Sequence, residues 1–77
     1  MNRVILPELG EGIEKAVVAC WHVKESEHVQ QGEDIVELVT DKATFHVTAE
    51  TSGRLKAIFV LEGQEAKIGE TLAIIEP

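Results

Sequence analysis

The reactive group best set apart by its surroundings is the amine of Lys42, in the stretch Thr40-Asp41-Lys42-Ala43. Before it runs Ile35-Val36-Glu37-Leu38-Val39 and after it Thr44-Phe45-His46-Val47-Thr48. Both runs are rich in β-branched, aliphatic or aromatic residues and have the length of ordinary strands. The gap between them leaves room only for a tight connection, and Asp41 can hydrogen-bond its own local backbone, which favours a turn there. The pattern predicts a hairpin with Lys42 at its apex, its ammonium in water and its stem clear of neighbours. A modifying enzyme or a second protein needs just that access. A lysine in a turn is, by itself, most often only a solvated charge, so the remainder of the chain has to carry the reading.

Other chemistry is sparse. His22, His28 and His46 are scattered, and Cys20 has only His22 two residues on, which is not a metal-ligand spacing, so no metal site is expected. No serine sits in a nucleophile elbow, and no cysteine, histidine and acid can be grouped for catalysis. Gly10-Glu11-Gly12 lacks the third glycine, the lysine and the following helix of a phosphate loop. The glutamates read as solvated strand faces. The chain is therefore not expected to be an enzyme by itself.

The elements that must hold Lys42 in place belong to a small domain. Seventy-seven residues make a single domain, taken as 1–77, with one thin core and no deep cleft. Hydrophobic residues are 44% of the chain, and the aromatic ones are Trp21, Phe45 and Phe59, so the core is aliphatic. Fourteen acidic against seven basic side chains give a net charge of −7. That charge repels phosphate backbones and anionic membrane surfaces, so neither nucleic acid nor membrane is expected as a partner. No apolar run approaches the roughly 18 residues of a membrane span, and Met1-Asn2-Arg3 leads into no signal-peptide core. A lone cysteine, Cys20, cannot form an internal disulfide and fits a reducing compartment.

Along the chain, Val4-Ile5-Leu6 is a short strand stopped by Pro7, followed by the acidic loop Glu8-Leu9-Gly10-Glu11-Gly12. Glu14 to Val23 alternates, and the parity of Val17, Ala19, Trp21 and Val23 is the better core face because it carries no ionisable group. After polar turns around Glu25 and Gly32, with Val29 as an isolated apolar anchor, comes the hairpin. Leu55 to Leu61, Ala66 to Ile68 and Thr71 to Ile75 are the remaining strands. No segment holds a helical period, so the fold class is all-β, a sandwich or a barrel. A shift of 37 places lays Val23 on Val60, Glu25 on Glu62, Gly32 on Gly69 and Glu33 on Glu70, with Val29 on Ala66, Ile35 on Leu72 and Leu38 on Ile75 as apolar matches. The matches fall on turn and core sites of each half, which predicts two similar sheets related by approximate two-fold symmetry. Thr40 is then equivalent to Pro77, so the first half turns its hairpin where the second half ends.

Leu6-Pro7-Glu8-Leu9-Gly10-Glu11-Gly12-Ile13, Trp21-His22-Val23-Lys24, Gly32-Glu33-Asp34-Ile35, Glu37 to Thr44 around Lys42, Gly53, Glu62-Gly63 and Ile68-Gly69-Glu70-Thr71-Leu72 together resemble the lipoyl domain of the acyltransferase component of 2-oxo acid dehydrogenase complexes. The resemblance covers essentially the whole chain. It implies a flattened barrel of two four-stranded antiparallel sheets, with lipoic acid bound to Lys42 through an amide and with Asp41 and Ala43 as flanking recognition residues. It further implies a shuttle: the arm on Lys42 is reductively acylated by a thiamine-dependent 2-oxo acid decarboxylase, delivers the acyl group to an acyltransferase core, and passes electrons to dihydrolipoamide dehydrogenase. A lipoylating enzyme is the remaining partner. The loop Glu8, Leu9, Gly10, Glu11, Gly12 and Ile13 is expected near the tip, helping the decarboxylase choose this carrier.

The departures from the family are Ser26, where a glycine is usual although its repeat partner Gly63 is present, and Thr48-Ala49-Glu50-Thr51, which replaces a commonly proline-containing segment. Positive φ at Ser26 would disfavour it by about 1 kcal/mol relative to glycine. Two alternatives stand beside the lipoyl reading. One is a biotin carrier on the same barrel, whose pattern places methionine on both sides of the lysine, where this chain has Asp41 and Ala43. The other is an unmodified barrel used for structure or docking. The end at Pro77, with no core or linker after it, suggests a segment of a longer chain. The isolated domain is expected to be a monomer, in a bacterial cytoplasm or a mitochondrial matrix.

Overall fold

A computed structural model describes residues 2–77; Met1 lies outside them. Their eight strands are β1 (Asn2–Ile5), β2 (Lys15–Trp21), β3 (His28–Val29), β4 (Asp34–Val39), β5 (Thr44–Thr48), β6 (Gly53–Ile58), β7 (Glu65–Lys67) and β8 (Thr71–Glu76). They form two four-stranded sheets, ordered β1-β8-β6-β3 and β5-β4-β2-β7, antiparallel throughout. No helix occurs among the described residues. The body measures 34 × 20 × 17 Å and is longest along one axis.

The internal repeat is the plan of the whole fold. Adding 37 carries β2 onto β6, β3 onto β7 and β4 onto β8, and so lays one sheet on the other strand by strand. The place that β5 holds beside β4 is taken in the other sheet by β1, which pairs with β8 at Asn2↔Ile75 and Arg3↔Ile74. Each sheet borrows one short strand from the other half, since β7 pairs with β2 and β3 with β6. The halves are therefore interlocked, and neither closes its core alone.

The hydrogen bonds at the turns repeat with the same offset. Ser26 N–H donates to Leu55 O and Gly63 N–H to Val18 O, at 2.7 and 2.8 Å. Glu27 Oε1 accepts from Lys24 N–H and Gln64 Oε1 from Leu61 N–H, at 2.7 and 2.8 Å. Glu33 Oε1 accepts from Gln30 N–H and Glu70 Oε1 from Lys67 N–H, at 3.0 and 2.9 Å. Across the halves, Glu62 Oε2 accepts from Trp21 N–H at 2.9 Å and Glu25 Oε2 from Ile58 N–H at 2.8 Å. The reading of the glutamates as merely solvated faces is thus wrong for five of them, Glu25, Glu27, Glu33, Glu62 and Glu70. Backbone donors at turns and strand ends need acceptors, and these carboxylates supply them.

The core between the sheets is aliphatic. Leu6, Val18, Val29, Ile35, Val36, Leu38, Leu55, Leu72 and Ile75 are fully buried, and no polar or charged side chain is buried among the described residues. The inward parity expected for β2 is corrected over its first part. Ala16 and Val18 face the core, whereas Val17 is 37% exposed and Ala19 is exposed. The register against β4 slips between Val18 and Cys20, from Val18↔Leu38 to Cys20↔Glu37, so Ala19 is an extra residue in the strand. A bulge of this kind reverses the alternation, and beyond it Trp21 and Val23 turn inward as expected. Trp21 anchors that end by donating its ring N–H to Val60 O at 2.9 Å. Val29, read as an isolated anchor, lies in the two-residue strand β3. Leu55 to Leu61 is shorter than expected, since β6 ends at Ile58 and leaves Phe59 and Leu61 exposed.

Candidate functional site

The β4–β5 ladder pairs Leu38↔Phe45 and Val39↔Thr44, which leaves Thr40-Asp41-Lys42-Ala43 as the connection. Thr40 N–H donates to Ala43 O at 2.9 Å and closes the turn. The side chain that braces it is Thr40, not Asp41. Thr40 Oγ1 accepts from Lys42 N–H at 3.1 Å and from Ala43 N–H at 3.0 Å, and donates to Ala43 O at 3.0 Å. Threonine and aspartate at adjacent positions can both bond the following backbone, and the sequence did not separate them. Asp41, Lys42 and Ala43 are all exposed.

The tip also has a neighbour. In the loop before β2, Ile13 N–H donates to Gly10 O at 3.2 Å, and Gly10 and Gly12 take φ of 141° and 84°. Leu9 packs against the core and Ile13 is half-buried, while Glu8, Gly10, Glu11 and Gly12 face solvent. Gly12 and Ile13 share a shallow groove with Val17, Val39, Thr40 and Asp41. A Cβ added at Gly12 would stand 3.3 Å from Lys42 Nζ. The loop therefore lies against the hairpin, as expected, and the missing side chain at Gly12 leaves the lysine room.

This arrangement fits a group attached through Lys42. The lysine is exposed, makes none of the ion pairs formed among the described residues, and has nothing to be displaced before its amine reacts. Among the described residues, nothing around the tip resembles a catalytic constellation. Elsewhere, two of the histidines read as scattered are brought together. His22 and His46 stack with ring centroids 6.3 Å apart, beside Glu37. His28 stays apart on β3, and no sequence spacing announces the pair because His46 lies on β5 and His22 just past β2, with β4 between them.

The comparisons agree with the geometry. The biotin/lipoyl family model, described as biotin-requiring enzyme, matches residues 2–75. Among curated proteins, the chain is 36% identical over 75 residues to the dihydrolipoyllysine-residue succinyltransferase component of the 2-oxoglutarate dehydrogenase complex of Bacillus subtilis, covering 97% of this chain and 18% of that protein. It is 37% identical over 75 residues to the acetyltransferase component of the mitochondrial pyruvate dehydrogenase complex of Caenorhabditis elegans, covering 96% and 15%. The chain thus spans less than a fifth of the length of these relatives. Among solved structures, the lipoyl domain of the 2-oxoglutarate dehydrogenase complex from Azotobacter vinelandii superposes with a TM-score of 0.80 at 35% identity, covering 97% of this chain and 95% of that one. Urea carboxylase of Kluyveromyces lactis, at 18% identity and a TM-score of 0.77 over 99% of this chain and 6% of that one, shares the fold. A solved lipoyl domain matched at this identity over nearly its whole length, together with the family model, places the chain: it belongs to the biotin/lipoyl attachment family, as a lipoyl-type carrier domain.

Proposed function

We propose that Lys42 carries lipoic acid in amide linkage and that the domain serves as the mobile arm of a 2-oxo acid dehydrogenase complex. The observation that supports this most is the exposed lysine at a braced hairpin apex in a chain 35% identical to a solved lipoyl domain. When attached, lipoic acid supplies a cyclic disulfide, which takes up two electrons and an acyl unit at one place.

The chain's own residues do the positioning. Thr40 fixes the turn that carries Lys42, and the absence of a side chain at Gly12 leaves space beside the Lys42 amine. Asp41 and Ala43 flank the lysine and give a lipoylating enzyme its local shape. They favour lipoate over biotin, whose pattern has methionine at both positions. The Glu8 to Ile13 loop, seated beside the tip, presents Glu8 and Glu11 to a thiamine-dependent decarboxylase. The acyltransferase core and dihydrolipoamide dehydrogenase are the other stations. Tethering raises the effective concentration of the arm at each to roughly the millimolar range, so the domain speeds transfer without a catalytic group of its own.

The test is reductive acylation of the lipoylated chain by purified decarboxylases supplied with different 2-oxo acids. Acylation by at least one of them, abolished in Lys42→Arg, is expected. Retention of acylation after replacement of residues 8–13 would remove the recognition role of the loop, and acylation of Lys42→Arg would remove the reading altogether.

A further inference from the structure

The face of the β5-β4-β2 sheet that points away from the core carries a second group of chemistry-bearing side chains. The register places His46 on β5 opposite Glu37 on β4, and Glu37 opposite Cys20 on β2. Residues directly opposite in an antiparallel pair hold their Cβ atoms about 4.5–5.5 Å apart on one face. His46, Glu37 and Cys20 therefore stand in a row across three strands. His22 follows β2 by one residue, and its ring lies over that of His46, 13° from parallel. Donor atoms of His22, Glu37 and His46 all come within 4.8 Å of one another, and His46 Nε2 is 4.0 Å from Glu37 Oε1.

We propose that His22, Glu37 and His46 form a surface site for a divalent transition-metal ion of the zinc type. Two imidazoles and a carboxylate are a donor set that zinc accepts, whereas calcium and magnesium require oxygen ligands. Zinc bonds of 2.0–2.2 Å set tetrahedral donors about 3.4 Å apart. The three donors must therefore draw in from within 4.8 Å, by about 1 Å or a little more in all. The side chains have the freedom to do so, since His46 and Glu37 are 47% and 33% exposed and neither is packed in the core. The backbones of Glu37 and His46 are fixed by the β4–β5 ladder, and donors on strands are held more precisely than donors on loops. Three protein ligands leave a fourth position facing solvent. A net charge of −7 favours the approach of a cation over that of an anion. The site owes nothing to Lys42 and stands or falls separately from the carrier function.

Cys20 Sγ lies 3.8 Å from His22 Nδ1, so its thiol could bind metal by itself and must be removed from the test. Zinc chloride is titrated into the Cys20→Ser chain by calorimetry while the histidine ring signals are followed by NMR. One saturable zinc per chain is expected, with the ring signals of His22 and His46 shifting and those of His28 unmoved. His46→Gln in the same background should weaken binding by about tenfold or more, and His28→Gln should leave it unchanged. Thermal melting of each variant, expected to match the parent because these positions are on the surface, separates lost ligation from lost folding. Absence of saturable binding in Cys20→Ser, or equal affinity in a folded His46→Gln chain, overturns the site.

Discussion

Exchanging the residues at two repeat-related turns gives a sharp test of the fold's internal symmetry. Ser26 has φ of 79° and Gly63, its partner 37 residues on, has φ of 88°. The backbone at the two positions makes matching bonds, from Ser26 N–H to Leu55 O and from Gly63 N–H to Val18 O, so the environments differ chiefly in the side chain. An L-residue in this left-handed region is disfavoured by roughly 1–2 kcal/mol. Glycine gives back about 0.4–1 kcal/mol through the greater freedom of the unfolded chain. Ser26→Gly is thus expected to stabilise by about 0.5–1 kcal/mol, and Gly63→Ser to destabilise by a similar amount. The backbone bond that Ser26 O accepts from Arg54 Nη1 survives the change. For a domain of this size 1 kcal/mol moves Tm by about 4–8 °C, so thermal denaturation resolves both shifts. The double exchange should melt near the parent chain. A Ser26→Gly chain that melts at or below the parent, or a neutral Gly63→Ser, would refute the reasoning.

Three further substitutions probe the parts that hold the tip and the core. Gly53→Ala drives a Cβ into the Glu76 carbonyl and against Ile75 Cγ2, where backbone must yield, and should destabilise by about 2–3 kcal/mol in urea unfolding. Thr40→Val removes the hydroxyl that binds Lys42 N–H and Ala43 N–H; a local loss of about 1–2 kcal/mol should appear as faster amide exchange at those residues and slower lipoylation, with little change in Tm. Unchanged exchange would mean that the Thr40 N–H to Ala43 O bond alone shapes the turn. Trp21→Phe leaves Val60 O without its indole donor and should lower stability by about 1–2 kcal/mol, read by denaturant titration.

Much of this architecture is written locally. The hairpin is legible because two β-favouring runs flank a gap too short for anything but a turn, and the repeat is legible because glycines and glutamates recur at turn positions. What stays hidden depends on partners distant in sequence. Ala19 has no composition that marks a bulge, so the face of β2 before it could not be read by alternation. Glu25 and Glu62 reach amides in the opposite half, and no spacing in the chain points to such partners. His22, Glu37 and His46 converge only through strand register. The two-residue strand β3 is too short for any period to show, and β1 completes the sheet of β8 and β6 although the repeat offset does not reach it.

The central claim is that the amine of Lys42 is the acceptor of lipoic acid, and the mass of the intact chain tests it most directly. After incubation with a lipoate ligase and lipoate, and separately with a biotin ligase and biotin, each with ATP, the account predicts one lipoyl addition, no biotin addition, and a peptide fragment that locates the lipoyl group on Lys42. A chain that gains biotin instead, or that is lipoylated equally well as Lys42→Arg, would contradict it.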